Sequence, residues 1–309
     1  MNLAVDSLIG LGLVALAWQA ISGRSLFRGI VMFVVFGLTM ALAWARMGAP
    51  DLALAEAAIG AGVTGALMLV ALRRLVQLHP DQPAEPKRAR SRLALPIALL
   101  AASLVAVIGL GAVSVDREPG RAGVAVMDNL AETGLSNPIT GVLLVFRNLD
   151  TLLEVAVLLA AFLAALAVFR DQEQAPAPPR GDLPLVGALL AIIVPLTILV
   201  SVHLLLAGSH EPGGAFQAGA VLAAGGVLLI LAGRLQPASG MPLATALPLV
   251  LGLLVFSVIG LAMMLTGAPL LALPGLWAVY LIEAAMMISI ALTLVLLFAG
   301  ASGLRRERP

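Results

Sequence analysis

The chain has 309 residues, of which 61% are hydrophobic and 11% charged, and its formal net charge is +1. A soluble domain carries about a quarter of its residues charged, so this sequence cannot clothe a water-facing surface and reads as an all-α integral membrane protein. Its basic residues lie between apolar segments and not along one face, which excludes a nucleic-acid partner; the absence of cysteine excludes disulfides, thiolate metal sites and Cys-held iron–sulfur clusters.

A spanning helix needs about 20 mostly apolar residues. In chain order, about nine segments qualify: roughly 3–21, 27–47, 51–72, 93–113, 149–169, 183–207, 214–233, 243–266 and 276–300. No basic region precedes the first, where Asp6 stands instead, so no cleaved signal peptide is read. Pro50, Pro96 and Pro184 fall near helix starts, where a missing N–H costs nothing. Pro195 and Pro248 fall inside spans and are expected to kink them. Two linkers, the basic RRLVQLHPDQPAEPKRARSR (73–92) and the polar RDQEQAPAPPRGD (170–182), divide the chain into blocks of three, two and four helices. The blocks are taken as 1–78, 79–169 and 170–309. Segment 114–148 holds Asp116, Arg117, Glu118, Arg121, Asp128, Glu132 and Arg147; it is too polar to span and is expected to form a loop or surface helix.

Basic residues set the orientation. With the N-terminus outside, the outer segments hold Arg46, Arg117, Arg121 and Arg147, and every other one of the 18 Lys and Arg residues falls inside. The positive-inside rule therefore favours N-out and C-in.

An ionisable side chain near the bilayer centre costs about 2.5–3.5 kcal/mol on insertion scales, so the few acids within these spans call for a reason. They are Glu56, Glu154 and Glu283, with Asp51, Asp150 and His203 nearer the boundaries. In the N-out orientation the three glutamates lie in the outer half of the membrane, each about 8–10 Å past its helix start at 1.5 Å per residue. Arg147, Asp150 and Glu154 fall at i, i+3 and i+7, one helical face. Arg147 pairs with Asp150 at the interface and leaves Glu154 deeper. Such a carboxyl suits a proton relay; it equally suits a protonated acid hydrogen-bonded between helices. Asp51, just after Pro50, reads as a helix-capping residue. The stretch HLLLAGSHEPGGAFQAGAVLAAGG (203–226) reads as a tight turn at Pro212–Gly214 followed by a smooth packing helix. His203, His210 and Glu211 there offer an ion route from outside. Three scattered histidines make no metal site, and His79 is assigned nothing.

FGLTMALAWARMGAPDLALAEAAIGAG (36–62) resembles the MbhD-type domain of the large subunit of Mrp Na+/H+ antiporters, also found in membrane-bound hydrogenases. VFRNLDTLLE (145–154) is similar to the MbhE-type segment that follows it, whose usual form is close to D-F-R-G-x-D-T-x-G-E. EPGGAFQAGA (211–220) resembles the P-G-G-G-F-x-G-G hairpin of MnhB-like subunits. The resemblance implies a subunit of a hetero-oligomeric antiporter or hydrogenase-like complex in a bacterial or archaeal cell membrane. It implies other membrane subunits as partners besides the lipid bilayer, and transported H+ and Na+. It places Glu56 and Glu154 on the ion route, with Arg147 and Asp150 tuning Glu154. No catalytic residue, cofactor or metal is expected. The competing readings are a purely structural scaffold subunit of the same kind of complex and a stand-alone secondary carrier.

Overall fold

The computed structural model describes residues 3–23, 25–78, 94–114, 120–169, 184–238 and 240–306. The second linker, most of the first and His79 lie outside them, as do Asp116, Arg117 and Glu118.

Helices α1 (Leu3–Ser22) and α2 (Leu26–Arg46) form a hairpin clamped at both ends. Arg46 pairs with Asp6 at 2.6 Å, and Arg28 donates to Gln19 Oε1 at 3.2 Å. No residue of α1 is buried, whereas α2 turns Ile30, Gly37 and Ala41 inward, a small-residue face that lets the next span approach. That span is continuous from Pro50 but not uniform. It begins as α3 (Pro50–Ala55), widens into a π-helical segment over Glu56–Val63, and resumes as α4 (Thr64–Leu78). A Cβ on Gly37 would lie 3.0 Å from the Cβ of Ala61, so α2 and the widened turn meet at backbone distance.

Helix α5 (Ala94–Ser114) is apolar all round and buries none of its residues against the chain. The polar stretch after it departs from the expected loop. The short helix α6 (Arg121–Asn129) is on the surface, as anticipated, but a 3-10 turn at Leu130–Thr133, α7 (Pro138–Gly141) and a second π-helical segment at Val142–Phe146 fold into the protein. Leu130, Leu135, Asn137, Thr140 and Leu144 are all buried. This stretch delivers the chain to α8 (Asn148–Phe169).

The last block holds α9 (Pro184–Ala207), α10 (Ala215–Leu231), α11 (Leu243–Met264) and α12 (Leu276–Ala299). Both α9 and α11 run unbroken through Pro195 and Pro248. At the core stands α12, touched by α8, α9, α10 and α11, with Ile282, Met286, Ile290 and Leu296 almost fully buried. Two strands, β1 (Leu235–Ala238) and β2 (Gly303–Arg306), pair antiparallel and tie the ends of α10 and α12 together. The sequence gives no hint of this ribbon. LQPA and GLRR lack the apolar alternation of a strand, and Pro237 is tolerated because each strand has only one neighbour.

The protein is thus an all-α membrane protein with a small ribbon. Among the described residues eight helices are long and apolar enough to cross a membrane; α10, counted as a span from the sequence, has 17 residues. It is the best-shielded helix after α12 because its small residues admit close neighbours. A Cβ on Gly219 would approach Ile290 Cγ2 to 2.9 Å, and one on Gly225 would approach Thr197 Oγ1 to 2.5 Å. We expect Gly219→Leu to destabilise the fold by about 1–3 kcal/mol, the scale of overpacking, since the main chain at Met287 O is 3.1 Å from the same point and cannot turn aside. A thermal-shift measurement in detergent, with Gly10→Leu as a mutation in open space, checks it.

Candidate functional site

The residues from Gly208 to Gly214 turn the chain from α9 into α10 within a space that admits no side chains at three positions. A Cβ on Gly213 would fall 2.3 Å from Leu204 O, and one on Gly208 would fall 2.7 Å from Gly214 N. Gly214 itself has φ of 117°, in the region that favours glycine. The turn is closed by Gly208 N–H and Gly214 N–H, which both donate to Leu204 O.

This hairpin is the meeting place of all three blocks. From the second block, Ser136 N–H and Asn137 N–H donate to Ser209 O at 3.0 and 3.1 Å, and Thr140 Oγ1 donates to Gly208 O at 2.5 Å. Asn137 Nδ2 donates to Glu211 O at 2.9 Å and to Asp51 Oδ1 at 3.2 Å. From the first block, Asp51 Oδ1 also accepts Gly213 N–H at 3.2 Å, and Asp51 O accepts Gln217 Nε2 at 3.5 Å. Asp51 is buried. The expected capping role is not what its side chain does: the N-cap position is Ala49, without a side-chain cap bond, and the Asp51 carboxylate reaches across to two other blocks.

Beneath the hairpin lies Glu283 of α12, 3% exposed. Its Oε1 is near enough to Gly214 that a Cβ there would stand 3.3 Å away. It therefore sits at the N-terminal end of α10, where the helix dipole favours negative charge. Among the described residues its Oε2 is buried without a hydrogen-bond partner, and so is the Oγ of Ser209 in the hairpin above. Buried polar atoms are nearly always paired, so these two stand out from the rest of the interior.

Glu56 lies in a second slot. It is half-buried at the start of the first π-helical segment. Its carboxylate folds back along its own helix over Gly60, where any Cβ would collide with it, and points toward Gly37 of α2, where a Cβ would lie 3.2 Å from Oε1. The glycines make the slot, and the widened turn re-aims the backbone around it; such π-bulges recur at functional sites.

The remaining expected residues are placed elsewhere. Arg147 and Asp150 pair at 2.5 Å as anticipated, both substantially exposed. Glu154, one turn further along α8, is exposed on the outer face of this chain and does not reach the hairpin. His203 is exposed on α9, away from the node. His210 is exposed at its rim, with Nδ1 3.0 Å from Ser136 Oγ. Among the described residues no group of three His, Asp or Glu side chains is arranged to hold a metal. The sequence reading passed over Asn137, Thr140, Ser209 and Gln217. A signal for the first was present: Asn137–Pro138 is a helix-start signature, and Asn137 Oδ1 does accept Ile139 N–H at 2.9 Å.

The comparisons with known proteins agree with this architecture. Residues 11–77 match the MbhD family, the D subunit of MBH, and residues 185–304 match the domain related to the MnhB subunit of the Na+/H+ antiporter. No curated protein matches the chain. The fold is similar to a chain in the solved structure of an Mrp complex from Dietzia sp. DQ12-45-1b, with a TM-score of 0.75 and 23% identity, over 98% of this chain and 35% of that one. The chain therefore spans about a third of the length of that chain. The Asp51–Asn137–Gly213 knot joins its MbhD-matching part to its MnhB-related part. The chain thus carries an MbhD-matching part and an MnhB-related part on one all-α scaffold, whose described residues include eight helices long and apolar enough to cross a membrane.

Proposed function

We propose that this chain works as one subunit of a hetero-oligomeric monovalent cation/proton antiporter in a bacterial or archaeal cell membrane, N-terminus out and C-terminus in. Its division at about 78 and 170, with an MbhE-like middle block, belongs to the same reading. In it the chain contributes protonatable carboxylates to the passage of H+ and Na+ and catalyses no bond chemistry. The observation that carries this is the buried Glu283 carboxylate, whose Oε2 has no hydrogen-bond partner, beneath a hairpin that gathers all three blocks. Glu56 serves from its glycine slot. Glu154, exposed on this chain, meets the route through a neighbouring subunit, with Arg147 and Asp150 setting its surroundings. His210 stands at the outer mouth, and the exposed His203 faces a neighbour. The polar backbone groups of the hairpin, desolvated in a low-dielectric surround, offer a proton or cation the coordination that lipid does not.

Two measurements test it. Glu56→Gln in the assembled complex keeps the shape and loses the exchangeable proton; cation-dependent proton flux in everted vesicles should fall about 100-fold, the lower end of the range for a proton-transferring group. Unchanged flux with normal assembly favours the scaffold reading. The purified chain alone in liposomes should show no cation-dependent proton flux; robust flux would make it a self-sufficient carrier.

A further inference from the structure

At the end of the molecule opposite the hairpin, α4 and α8 both lean on α12. Between them lies a cleft of ≈ 200 Å³. Its walls are apolar: Leu67 and Val70 of α4, Ala165 and Leu166 of α8, and Leu296 of α12. Among the described residues the one polar side chain lining it is Arg74, at the rim. Arg74 is fixed there by its own packing. Its Nη2 donates to Ala299 O at the end of α12 at 3.4 Å, and its guanidinium lies against Gly300, where any side chain would collide with it.

The chemistry of this arrangement selects its occupant. The cleft is too small for a protein helix, which is about 10–12 Å across with its side chains, but admits a hydrocarbon chain one methylene wide. The guanidinium at the rim has the planar fork that matches phosphate oxygens. Arg73 adds a second positive charge next to it in the chain. Basic pockets between membrane helices suit anionic lipid headgroups. We propose that the cleft binds an anionic phospholipid, one acyl chain between α4, α8 and α12 and the phosphate on Arg74. The lipid would bridge the first, second and third blocks at this end as the Asp51 knot does at the other.

Native mass spectrometry of the full chain, offered equal phosphatidylglycerol and phosphatidylcholine with identical acyl chains, tests this. One phosphatidylglycerol should be retained in preference by about fivefold, the effect of one arginine beside an anionic headgroup. Arg74→Gln should bring the two lipids to parity, and Ala165→Phe, which fills the cleft, should remove both. Equal retention by the unaltered chain, or a preference that survives both substitutions, overturns the proposal.

Discussion

Glu283→Gln should cut cation-dependent proton flux by at least about 100-fold in the assembled complex, the scale of losing a group that takes and gives a proton. The substitution is nearly isosteric. It keeps an acceptor oxygen facing Gly214 and the start of α10, so packing among Ile282, Met286 and the hairpin is preserved. What it removes is exchange: an amide cannot ionise. The amide places an N–H₂ where Oε2 now has no partner, exchanging one unpaired polar group for another, so assembly has to be read beside flux. The measurement is antiport in everted vesicles alongside the amount of assembled complex. Full flux would remove Glu283 from the ion route and leave it as a packing residue; full assembly with lost flux would separate its function from any structural role. Glu283→Asp, which retains a carboxyl one methylene shorter, should recover part of the flux, whereas a purely geometric role would gain nothing from it.

The second large effect is structural. Asp51→Ala removes the acceptor shared by Asn137 Nδ2 and Gly213 N–H. Asn137 keeps its bond to Glu211 O, but the Gly213 N–H has no alternative partner beneath a hairpin without side-chain space. Leaving a buried donor unmade and losing a charged acceptor together cost about 3 kcal/mol or more. We expect a lower melting temperature and a smaller fraction of assembled complex, read by size-exclusion chromatography in detergent. Asp51→Asn keeps the accepting oxygen and should hold assembly near normal. If Asp51→Ala assembles and melts like the unaltered chain, the knot does not hold the blocks together. If Asp51→Asn assembles fully but loses antiport, the charge at Asp51 belongs to the ion route as well.

Glu154 and Asp51 exchange the roles their positions suggest. By spacing alone, Glu154 sits deeper in an apolar run than Asp51, which follows a proline at a helix start. In the folded chain Asp51 is buried and bonded to two other blocks, and Glu154 is exposed. Depth along a helix follows from counting residues; which way the helix faces follows from what packs on it. In lipid this matters doubly, since an apolar helix face looks the same whether it meets acyl chains, its own chain or a partner. Helix α5, apolar on every side and exposed over residues 95–114 among the described residues, is the plainest case.

The residue string by itself determined the membrane class, the helical class and the limits of several helices. The final span, expected at 276–300, runs Leu276–Ala299, and the second, expected at 27–47, runs Leu26–Arg46. The reason is local: lipid leaves no backbone group without an internal partner, so a long apolar run has one solution. The sequence also marked the glycine-rich hairpin and the acids. Only the tertiary structure decided that Asn137 and Thr140 clasp that hairpin, that Glu283 and Ser209 keep unpaired atoms around it, and that two π-helical turns and a two-stranded ribbon interrupt the helices. Those features depend on contacts between segments up to about 160 positions apart, as from Asp51 to Gly213. No window of neighbouring residues encodes which distant groove a side chain will fill.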